Sequence, residues 1–483
     1  MNRAIRRIGM LVGVLLLALM INVNVQQVLM ADSTKNRPGN QRTVLQEYSR
    51  ERGPILVGND PVARSISTDD QYKYLRRYQD GPQYVPATGF YSALYGATGI
   101  ERAENDVLAG TSDIFFADRV QQLLTGRAAK GGAVELTLNA AAQTAAFSGL
   151  AGKVGSVTAI DPTTGAILAL ATSPSFDPNT ISTHNLTAAQ KAYDALSADP
   201  QKPMLNRPLV STPPPGSTFK LVTTAAALES GKFTPDSVVP GPSAYKLPQT
   251  ERKLKNWTGT SCGPADKTTL TNALAVSCNS AFAWLGNQLG DAAIRAQAEK
   301  FGFNHSFSTP LRASTSVYPG ELDKPQTAMS AIGQFDVTAT SLQMAMVGAS
   351  IGNSGVTMNP YLVNQVLGSD LKVLKTSSPS KFATALTPSN ASAEMSMMVN
   401  VVENGTGSNA RIPGVKVGGK TGTAETGNGR PAVAWFVAVA PADAPRVAVA
   451  VTVENAGAGV EVGGNLLAAP IAKAVIEAVL NGQ

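Results

Sequence analysis

Hydrophobic and polar positions follow three different patterns along this chain of 483 residues. Near the N-terminus an apolar run extends from Ile8 to Ile21 and continues through the more mixed segment NVNVQQVLMA to Ala31. This stretch reaches about the 20 residues that a membrane-spanning helix needs. Farther along, short β-rich runs separated by turn residues alternate with longer stretches of helical spacing. The pattern predicts one N-terminal transmembrane helix followed by a mixed α/β protein.

Predicted strand hairpins lie at the two ends of the larger, C-terminal part of the chain. Residues 154–173 have apolar β-rich runs on both sides of a Pro-Thr-Thr-Gly turn. Residues 432–441 and 446–455 repeat this pattern, and residues 466–480 predict a closing helix. Helical spacing dominates between these ends, including residues 267–290. We therefore expect an α/β domain in which N-terminal and C-terminal strands share one sheet.

The residues between the apolar run and this domain are more charged and are broken by turn residues. They predict a smaller, irregular module. A Ser-, Thr- and Pro-rich stretch over residues 376–392 predicts a surface loop or linker within the larger domain. The predicted division is a cytoplasmic tail over residues 1–7, a transmembrane anchor over 8–30, an N-terminal module over 31–150 and a larger domain over 151–483.

Three arginines, Arg3, Arg6 and Arg7, precede the apolar run. Positive charge beside a transmembrane helix is retained in the cytoplasm, so the rest of the chain is expected to be extracytoplasmic in a single-pass membrane protein. A cleaved signal peptide is the alternative. Cleavage after Ala31 would place Leu29 where a small residue is needed, which favours an uncleaved anchor.

Composition excludes several classes of protein. Hydrophobic residues make up 43% and charged residues 15% of the chain, values typical of a globular rather than a disordered protein. The net charge of +6 is small and no basic stripe occurs, so no nucleic-acid partner is expected. His184 and His305 lack ligand spacing, so neither a metal nor a cofactor is expected. Cys262 and Cys278 either form a disulfide or remain two thiols.

The first candidate for chemistry is Ser217, which follows a Pro- and Gly-rich bend and precedes a predicted helix that ends before Gly231. Lys220, three residues on, lies on the same face and could activate the serine as a nucleophile. Ser-x-x-Lys spacing also occurs at Ser243, Ser369 and Ser378. Only Ser217 begins a sustained helix, whose N–H groups would point at its oxygen. A serine that only caps the helix is the alternative.

A second lysine could lower the pKa of Lys220, as a base at neutral pH requires. Lys420 is the candidate, because Gly418 and Gly419 clear space before it and residues 420–423 predict an exposed strand. Gly422 removes a side chain where the backbone of a peptide substrate could lie close. A polar turn between strands would use the same residues.

The third candidate is the Ser-Cys-Asn segment at Ser277 to Asn279. The Ser277 hydroxyl could relay a proton between the two lysines and a leaving amine, while the Asn279 amide holds a substrate amide. An ordinary helix terminus would also use these residues. Each segment alone is therefore ambiguous.

Taken together, STFK, SCN and KTGT resemble, in this order, the three signature motifs of the penicillin-binding proteins and serine β-lactamases. The resemblance covers nearly the full chain. Longer segments such as IDPTTGAILALATSPSFDPN and VVENGTGSNARIPGVKVGGKTGTAE look like class B penicillin-binding proteins, of the actinobacterial penicillin-binding protein A type. RGPIL and GIERAENDVLAG look like that family's non-catalytic module. The resemblance implies a transpeptidase-like fold with a central antiparallel sheet flanked by helices.

The resemblance also implies an activity and roles for residues. The activity is that of a D,D-transpeptidase, which cross-links peptidoglycan stem peptides through an acyl-enzyme and is acylated by β-lactams. Ser217 would be the nucleophile, Lys220 its base, and Ser277 with Lys420 the proton relay to the departing D-alanine. The backbone N–H groups of Ser217 and Thr423 would form the oxyanion hole. Substrate binding is implied for Asn279, Lys420, Thr421, Gly422 and Thr423.

Two departures from related enzymes refine this hypothesis. Cys278 replaces the aspartate common in β-lactamases, so efficient β-lactam hydrolysis is not expected. The module over residues 31–150 is too short for a glycosyltransferase domain. Glycan polymerisation would then require a partner, by family likeness a polytopic glycosyltransferase of the shape, elongation, division and sporulation (SEDS) group. The alternatives are a D,D-carboxypeptidase and a binding protein for β-lactams or cell-wall precursors that does not turn over.

Overall fold

The computed structural model describes residues 2–26, 30, 47–115, 130–424, 431–454 and 463–482. Its first helix, α1, begins at Asn2, within the predicted tail, and ends at Asn24. The helix contains a 20-residue apolar stretch with mean hydropathy 1.9, and no part of that stretch is buried in the protein. Its length and composition suit a membrane-spanning helix, although a signal sequence has the same features. Met1 and residues 27–29 of the predicted tail and anchor lie outside the described residues.

Strands and helices alternate along the rest of the described chain. The strands are β1 (Ile55–Val57), β2 (Asp60–Ser67), β3 (Tyr74–Tyr78), β4 (Tyr91–Ser92), β5 (Gly96–Ala97), β6 (Ala133–Leu136), β7 (Val154–Ile160), β8 (Ile167–Ser173), β9 (Val238–Pro240), β10 (Ala244–Lys246), β11 (Lys253–Lys255), β12 (Lys267–Thr269), β13 (Val356–Met358), β14 (Val363–Leu367), β15 (Val373–Thr376), β16 (Lys381–Thr384), β17 (Gly418–Ala424), β18 (Val433–Ala440) and β19 (Val447–Glu454). The helices after α1 are α2 (Gly81–Thr88), α3 (Gly99–Ala103), α4 (Asn105–Leu108), α5 (Ala140–Gly149), α6 (Leu186–Ala198), α7 (Arg207–Val210), α8 (Lys220–Glu229), α9 (Leu270–Ala275), α10 (Asn279–Leu289), α11 (Asp291–Lys300), α12 (Lys324–Ser330), α13 (Ser341–Gly352), α14 (Pro388–Glu403) and α15 (Ala469–Asn481).

A five-stranded antiparallel sheet forms the centre of the larger domain, in the order β17-β18-β19-β7-β8. Pairing of β19 with β7 joins the C-terminal hairpin to the N-terminal one, so the predicted shared sheet is confirmed. Helices α5 and α15 pack on one face and α13 packs on the other. Because both faces are covered, β18 is a continuous run of buried residues rather than an alternating one.

A second sheet, of six strands, has the order β15-β14-β6-β1-β2-β3. Its strands β1, β2, β3 and β6 come from the predicted N-terminal module, whereas β14 and β15 come from far beyond residue 150. Strand β6 pairs parallel to β1 on one side and antiparallel to β14 on the other. The module and the larger domain therefore share backbone hydrogen bonds. Residues 31–46 and 116–129 of the predicted module lie outside the described residues.

A buried ion cluster fixes the interior of the N-terminal module. The Glu101 carboxylate accepts hydrogen bonds from Arg52 Nε at 2.6 Å and Arg76 Nε at 2.6 Å, and the Tyr78 hydroxyl donates to it at 3.1 Å. Burial alone would raise the pKa of Glu101, but the two guanidinium groups outweigh burial and lower it. The cluster joins α3, which carries Glu101, to β3, which carries Arg76, and to Arg52, which precedes β1.

The structure bears out one local prediction in part and contradicts another. Residues 267–290 are mostly helical, as predicted, but they begin with strand β12, and a break at Ser277, whose φ of 58° is left-handed, separates α9 from α10. Residues 376–392 are not a plain linker, because they include β16, which pairs with β13, and the start of α14. Strand pairing with distant residues overrides the local composition in this second stretch.

Candidate active site

The turn that carries Ser217 lies against strand β17. Residues Gly216–Phe219 form a 3₁₀ turn that continues into α8. Gly216 has a φ of 51°, and a Cβ there would lie 2.7 Å from the Thr423 carbonyl oxygen, so glycine permits this close approach. No side-chain hydrogen bond caps the turn, so Ser217 does not act as a capping serine. The Ser217 side chain lines a cleft instead.

Lys220 is fully buried beneath this cleft. Its Nζ donates to the Ser277 carbonyl oxygen at 2.8 Å, to Asn279 Oδ1 at 2.7 Å and to Ser277 Oγ at 3.3 Å. Burial and then the nearby charge of Lys420 lower the pKa of Lys220 well below its usual value. No hydrogen bond joins Lys220 to the Ser217 hydroxyl among the described residues; such catalytic contacts often close only when substrate binds.

Lys420, on β17, is the second amine beneath the cleft. Its Nζ donates to Ser277 Oγ at 2.9 Å and to the Thr421 carbonyl oxygen at 2.9 Å. Burial lowers the pKa of Lys420 to about 7. Strand β17 lies at an edge of the central sheet, but the prediction of an exposed strand is wrong. Helix α14 and the Ser217 turn pack against β17, and each of its residues is buried except the half-buried Thr423.

Ser277 and Asn279 connect the two lysines. The break between α9 and α10 points the Ser277 hydroxyl at both amines, from which its oxygen accepts hydrogen bonds. Asn279 begins α10, and while its Oδ1 accepts from Lys220, its Nδ2 donates to the Lys255 carbonyl oxygen at 3.2 Å. An amide NH₂ has two protons, so one remains for a ligand.

A disulfide joins the middle of the Ser-Cys-Asn segment to a neighbouring loop. Cys278 is bonded to Cys262, with their Cα atoms 6.0 Å apart. Asn256 reinforces the link, because its Oδ1 accepts a hydrogen bond from the Ser280 backbone N–H at 3.0 Å. The loop of residues 253–262 is therefore held against the start of α10.

The structure explains the need for glycine at position 422 differently from the prediction. A Cβ at this position would lie 2.9 Å from Thr218 Cγ2 and 3.0 Å from the Pro215 carbonyl oxygen. Gly422 therefore makes room for the turn that carries Ser217 rather than for a substrate backbone. Lys420, whose amine is buried, lies two residues before Gly422 on the same strand.

The cleft has a volume of about 660 Å³. It brings together every predicted site residue, with the two lysines buried beneath it. Six of these residues line it: Ser217, Ser277, Asn279, Thr421, Gly422 and Thr423. Within the described ranges, no group of three or more His, Cys, Asp or Glu side chains is placed to hold a metal ion.

Sequence reasoning missed two parts of this cleft. The Thr406 hydroxyl lies 2.7 Å from that of Thr421 and also lines the cleft. Residues 253–259 form one wall, which we call the hairpin wall because it begins with strand β11. Thr406 stands in a segment with family resemblance, but no local spacing marks the hairpin wall.

Family models match most of the chain. Residues 155–477 match the penicillin binding protein transpeptidase domain, and residues 52–134 match the penicillin binding protein A dimerisation domain. The chain is 42% identical over 489 residues to "Peptidoglycan D,D-transpeptidase PbpA" of Mycolicibacterium smegmatis, with 99% of each chain covered. It is 40% identical over 492 residues to the Mycobacterium tuberculosis protein of the same name, with 100% of each covered.

Solved structures give the same result. Penicillin-binding protein A from M. tuberculosis, as its ceftriaxone acyl-enzyme complex, superposes with a TM-score of 0.87 at 40% sequence identity. The match covers 90% of this chain and 100% of that one. These matches confirm the resemblance seen in the motifs. The chain belongs to the penicillin-binding protein transpeptidase family.

Proposed function

We propose that this protein is a membrane-anchored D,D-transpeptidase that cross-links peptidoglycan stem peptides through a serine acyl-enzyme. One observation carries the proposal: the Ser277 hydroxyl is held between two buried lysines, Lys220 and Lys420, in the cleft that Ser217 lines. Relatives named peptidoglycan D,D-transpeptidase, and a solved relative acylated by ceftriaxone, support it.

The acylation step begins at Ser217. Its oxygen forms a bond to the carbonyl carbon of the penultimate D-alanine, and its proton passes to neutral Lys220. The lowered pKa of Lys220 supports this role, since a protonated lysine could not accept the proton. The backbone N–H groups of Ser217 and Thr423 stabilise the negative charge that develops on the carbonyl oxygen.

Release of the leaving group needs a proton on its nitrogen. The carbon–nitrogen bond breaks, and the proton held by Lys220 reaches the departing D-alanine through the Ser277 hydroxyl, beside Lys420. The amine of a second stem peptide then attacks the ester carbon and gives its proton to Lys220. The carbon–oxygen bond breaks, and Lys220 passes this proton to the Ser217 oxygen, which restores the Ser217 hydroxyl and neutral Lys220. The products are a new amide and free D-alanine.

Binding of the donor peptide uses the two sides of the cleft. Thr421 and Thr423 on β17, with the charge of Lys420 beneath them, hold the terminal carboxylate. The remaining amide proton of Asn279 contacts the peptide backbone on the other side. β-Lactams acylate Ser217 as mimics of this donor.

The proposed topology follows from the N-terminal helix. We propose that α1 spans the membrane once, with its arginines in the cytoplasm, and that the domain over residues 151–483 acts outside the cell membrane on stem peptides. The module over residues 31–150 is non-catalytic. A SEDS-type glycosyltransferase supplies the glycan strands. The exposed apolar surface of α1 supports the anchor.

Labelling with a fluorescent penicillin tests the nucleophile. We expect covalent labelling of the wild-type protein and none of Ser217→Ala. Ser243→Ala is the matched control, because Ser243 has the same spacing to a lysine but is exposed and should keep full labelling. Persistent labelling of Ser217→Ala would falsify the assignment.

Product analysis tests the reaction itself. A stem-peptide donor incubated with an acceptor amine should yield the cross-linked product and one D-alanine for each bond formed. Release of only the hydrolysed peptide in the presence of the amine would identify a D,D-carboxypeptidase. Penicillin labelling without release of D-alanine would identify a binding protein that does not turn over.

A further inference from the structure

Two lysines on the hairpin wall give the cleft an accessible positive charge. Lys253 and Lys255 are charged, and the other described residues that line the cleft are uncharged. Both are exposed, whereas Lys220 and Lys420 are fully buried beneath the cleft. An anionic part of a ligand in this cleft can therefore reach Lys253 and Lys255 directly.

The hairpin β10–β11 presents these two lysines on one face. Lys253 lies opposite Lys246, and Lys255 lies opposite Ala244. Alternation along the strand places Leu254 on the other face, where it packs against the core. Like charges opposite each other destabilise a hairpin, so the repeated lysines are not explained by strand pairing.

The lysine across the hairpin has its own acidic partner. Lys246 Nζ lies 3.0 Å from a Glu251 carboxylate oxygen. Neither Lys253 nor Lys255 forms an ion pair with any residue in the part of the chain that the structure describes. No described carboxylate therefore neutralises either ammonium group.

The backbone that carries these lysines is fixed relative to the candidate catalytic residues. The Lys255 carbonyl oxygen accepts a hydrogen bond from Asn279 Nδ2, and Trp257 Nε1 donates to the Val276 carbonyl oxygen at 3.1 Å. The Cys262–Cys278 disulfide closes the same loop onto the Ser-Cys-Asn segment. The hairpin wall and the proton relay therefore keep a constant spacing.

We propose that Lys253 and Lys255 form a subsite for a side-chain carboxylate on the donor residue that precedes the D-alanyl-D-alanine unit. The inference rests on the proposed function. Asn279 is placed to contact the donor backbone and Lys255 adjoins it, and one further peptide residue extends about 3.3–3.6 Å toward the hairpin wall. A lysine ammonium on its four-carbon stem suits such a carboxylate as a point charge with three donors. The terminal carboxylate binds elsewhere, along β17.

A matched pair of donors tests the subsite. The two synthetic donors differ only in whether the side chain before D-alanyl-D-alanine ends in a carboxylate or in its carboxamide, and kcat/KM is measured by release of D-alanine at low salt. We expect the wild-type protein to prefer the carboxylate by about five- to tenfold, as for two partly exposed ion pairs. In Lys253→Gln/Lys255→Gln the preference should fall to about one, because the opposing charges are gone.

The ratio between the two donors separates the subsite from general damage to the protein. A loss of folded enzyme lowers both rates equally and leaves the ratio unchanged. Lys267→Gln is the matched control, because Lys267 is an exposed lysine that does not line the cleft, and it should keep the wild-type ratio. Equal rates on both donors in the wild type, or a preference that survives in the double variant, would overturn the subsite while the transpeptidase proposal stands. Absence of D-alanine release from either donor would overturn both.

Discussion

Two clusters of buried charge in this protein behave in opposite ways. In the N-terminal module, Glu101 lies between Arg52 and Arg76, and the opposite charges keep the carboxylate ionised, with its pKa lowered despite burial. In the cleft, Lys220 and Lys420 are both basic side chains that are buried around Ser277, and burial lowers the pKa of each. The charge of Glu101 is compensated by two opposite charges, whereas no described carboxylate pairs with either lysine of the cleft.

The difference separates a structural role from a chemical one. Opposite charges in the interior satisfy each other, so the side chains stay ionised and hold their elements together. Amines buried without a carboxylate favour the neutral form, which can accept a proton. A perturbed pKa therefore points to chemistry only when the neighbours that cause it are known.

The largest expected effect is on the rate of acylation, and it comes from removing the Lys220 amine. In Lys220→Met we expect acylation by fluorescent penicillin to slow by about 10²–10⁴-fold, the usual contribution of a general base. The free energy of unfolding should fall by only about 1–3 kcal/mol, because the Ser277 carbonyl and Asn279 Oδ1 lose a hydrogen-bond donor but no buried carboxylate loses its counter-charge. Stopped-flow labelling and urea denaturation measure the two quantities. Acylation at the wild-type rate would show that Lys220 is not the base.

Removing the compensated charge should have the opposite outcome. In Glu101→Gln two buried guanidinium groups lose their counter-charge, so we expect the free energy of unfolding to fall by about 3–5 kcal/mol. The protein that remains folded should still be acylated at the wild-type rate. Lys130→Ala is the control, because its pair with Glu51 is solvent-exposed and is worth less than about 1 kcal/mol. An equal loss in both variants would contradict a special role for the buried cluster.

A smaller effect, on pH dependence, distinguishes the two lysines of the cleft. Lys420, with a pKa of about 7, is protonated below that pH and neutral above it. Lys220 must be neutral to act as a base. Because its pKa is lowered, it becomes neutral at a lower pH than an ordinary lysine does. The acylation rate should therefore rise with Lys220 deprotonation and fall as pH increases past about 7, where Lys420 loses its charge.

A variant identifies the group behind the alkaline limb of this profile. Lys420→Arg keeps its positive charge to far higher pH, so the alkaline limb should disappear even if the maximal rate is reduced. The measurement is the second-order rate of penicillin labelling across pH. An alkaline limb that persists in Lys420→Arg would assign it to another group.

The central sheet and the site motifs could be predicted from the sequence because their signals are local. The hairpins over β7–β8 and β18–β19 have β-rich runs around short turns. The convergence of Ser217, Ser277 and Lys420 on one cleft could be inferred only from the family resemblance. Residues this far apart in the sequence carry no local signal of contact.

The remaining features depend on contacts between distant segments. The break at Ser277 interrupts a stretch of helical spacing, and a left-handed residue there is specified by its surroundings. Gly422 faces the Ser217 turn, which is not visible in the strand's own sequence. The lysines of the hairpin wall look like ordinary solvated charges until the fold places Lys255 next to Asn279 and both lysines in the lining of the cleft.

The pairing of β14 with β6 has a practical consequence for truncated forms of this protein. A fragment that starts at residue 151 lacks β6 and therefore leaves one side of β14 with unpaired N–H and C=O groups. An open strand edge recruits strands from other molecules. Fragments without the first 150 residues should therefore self-associate even though every residue of the cleft is present.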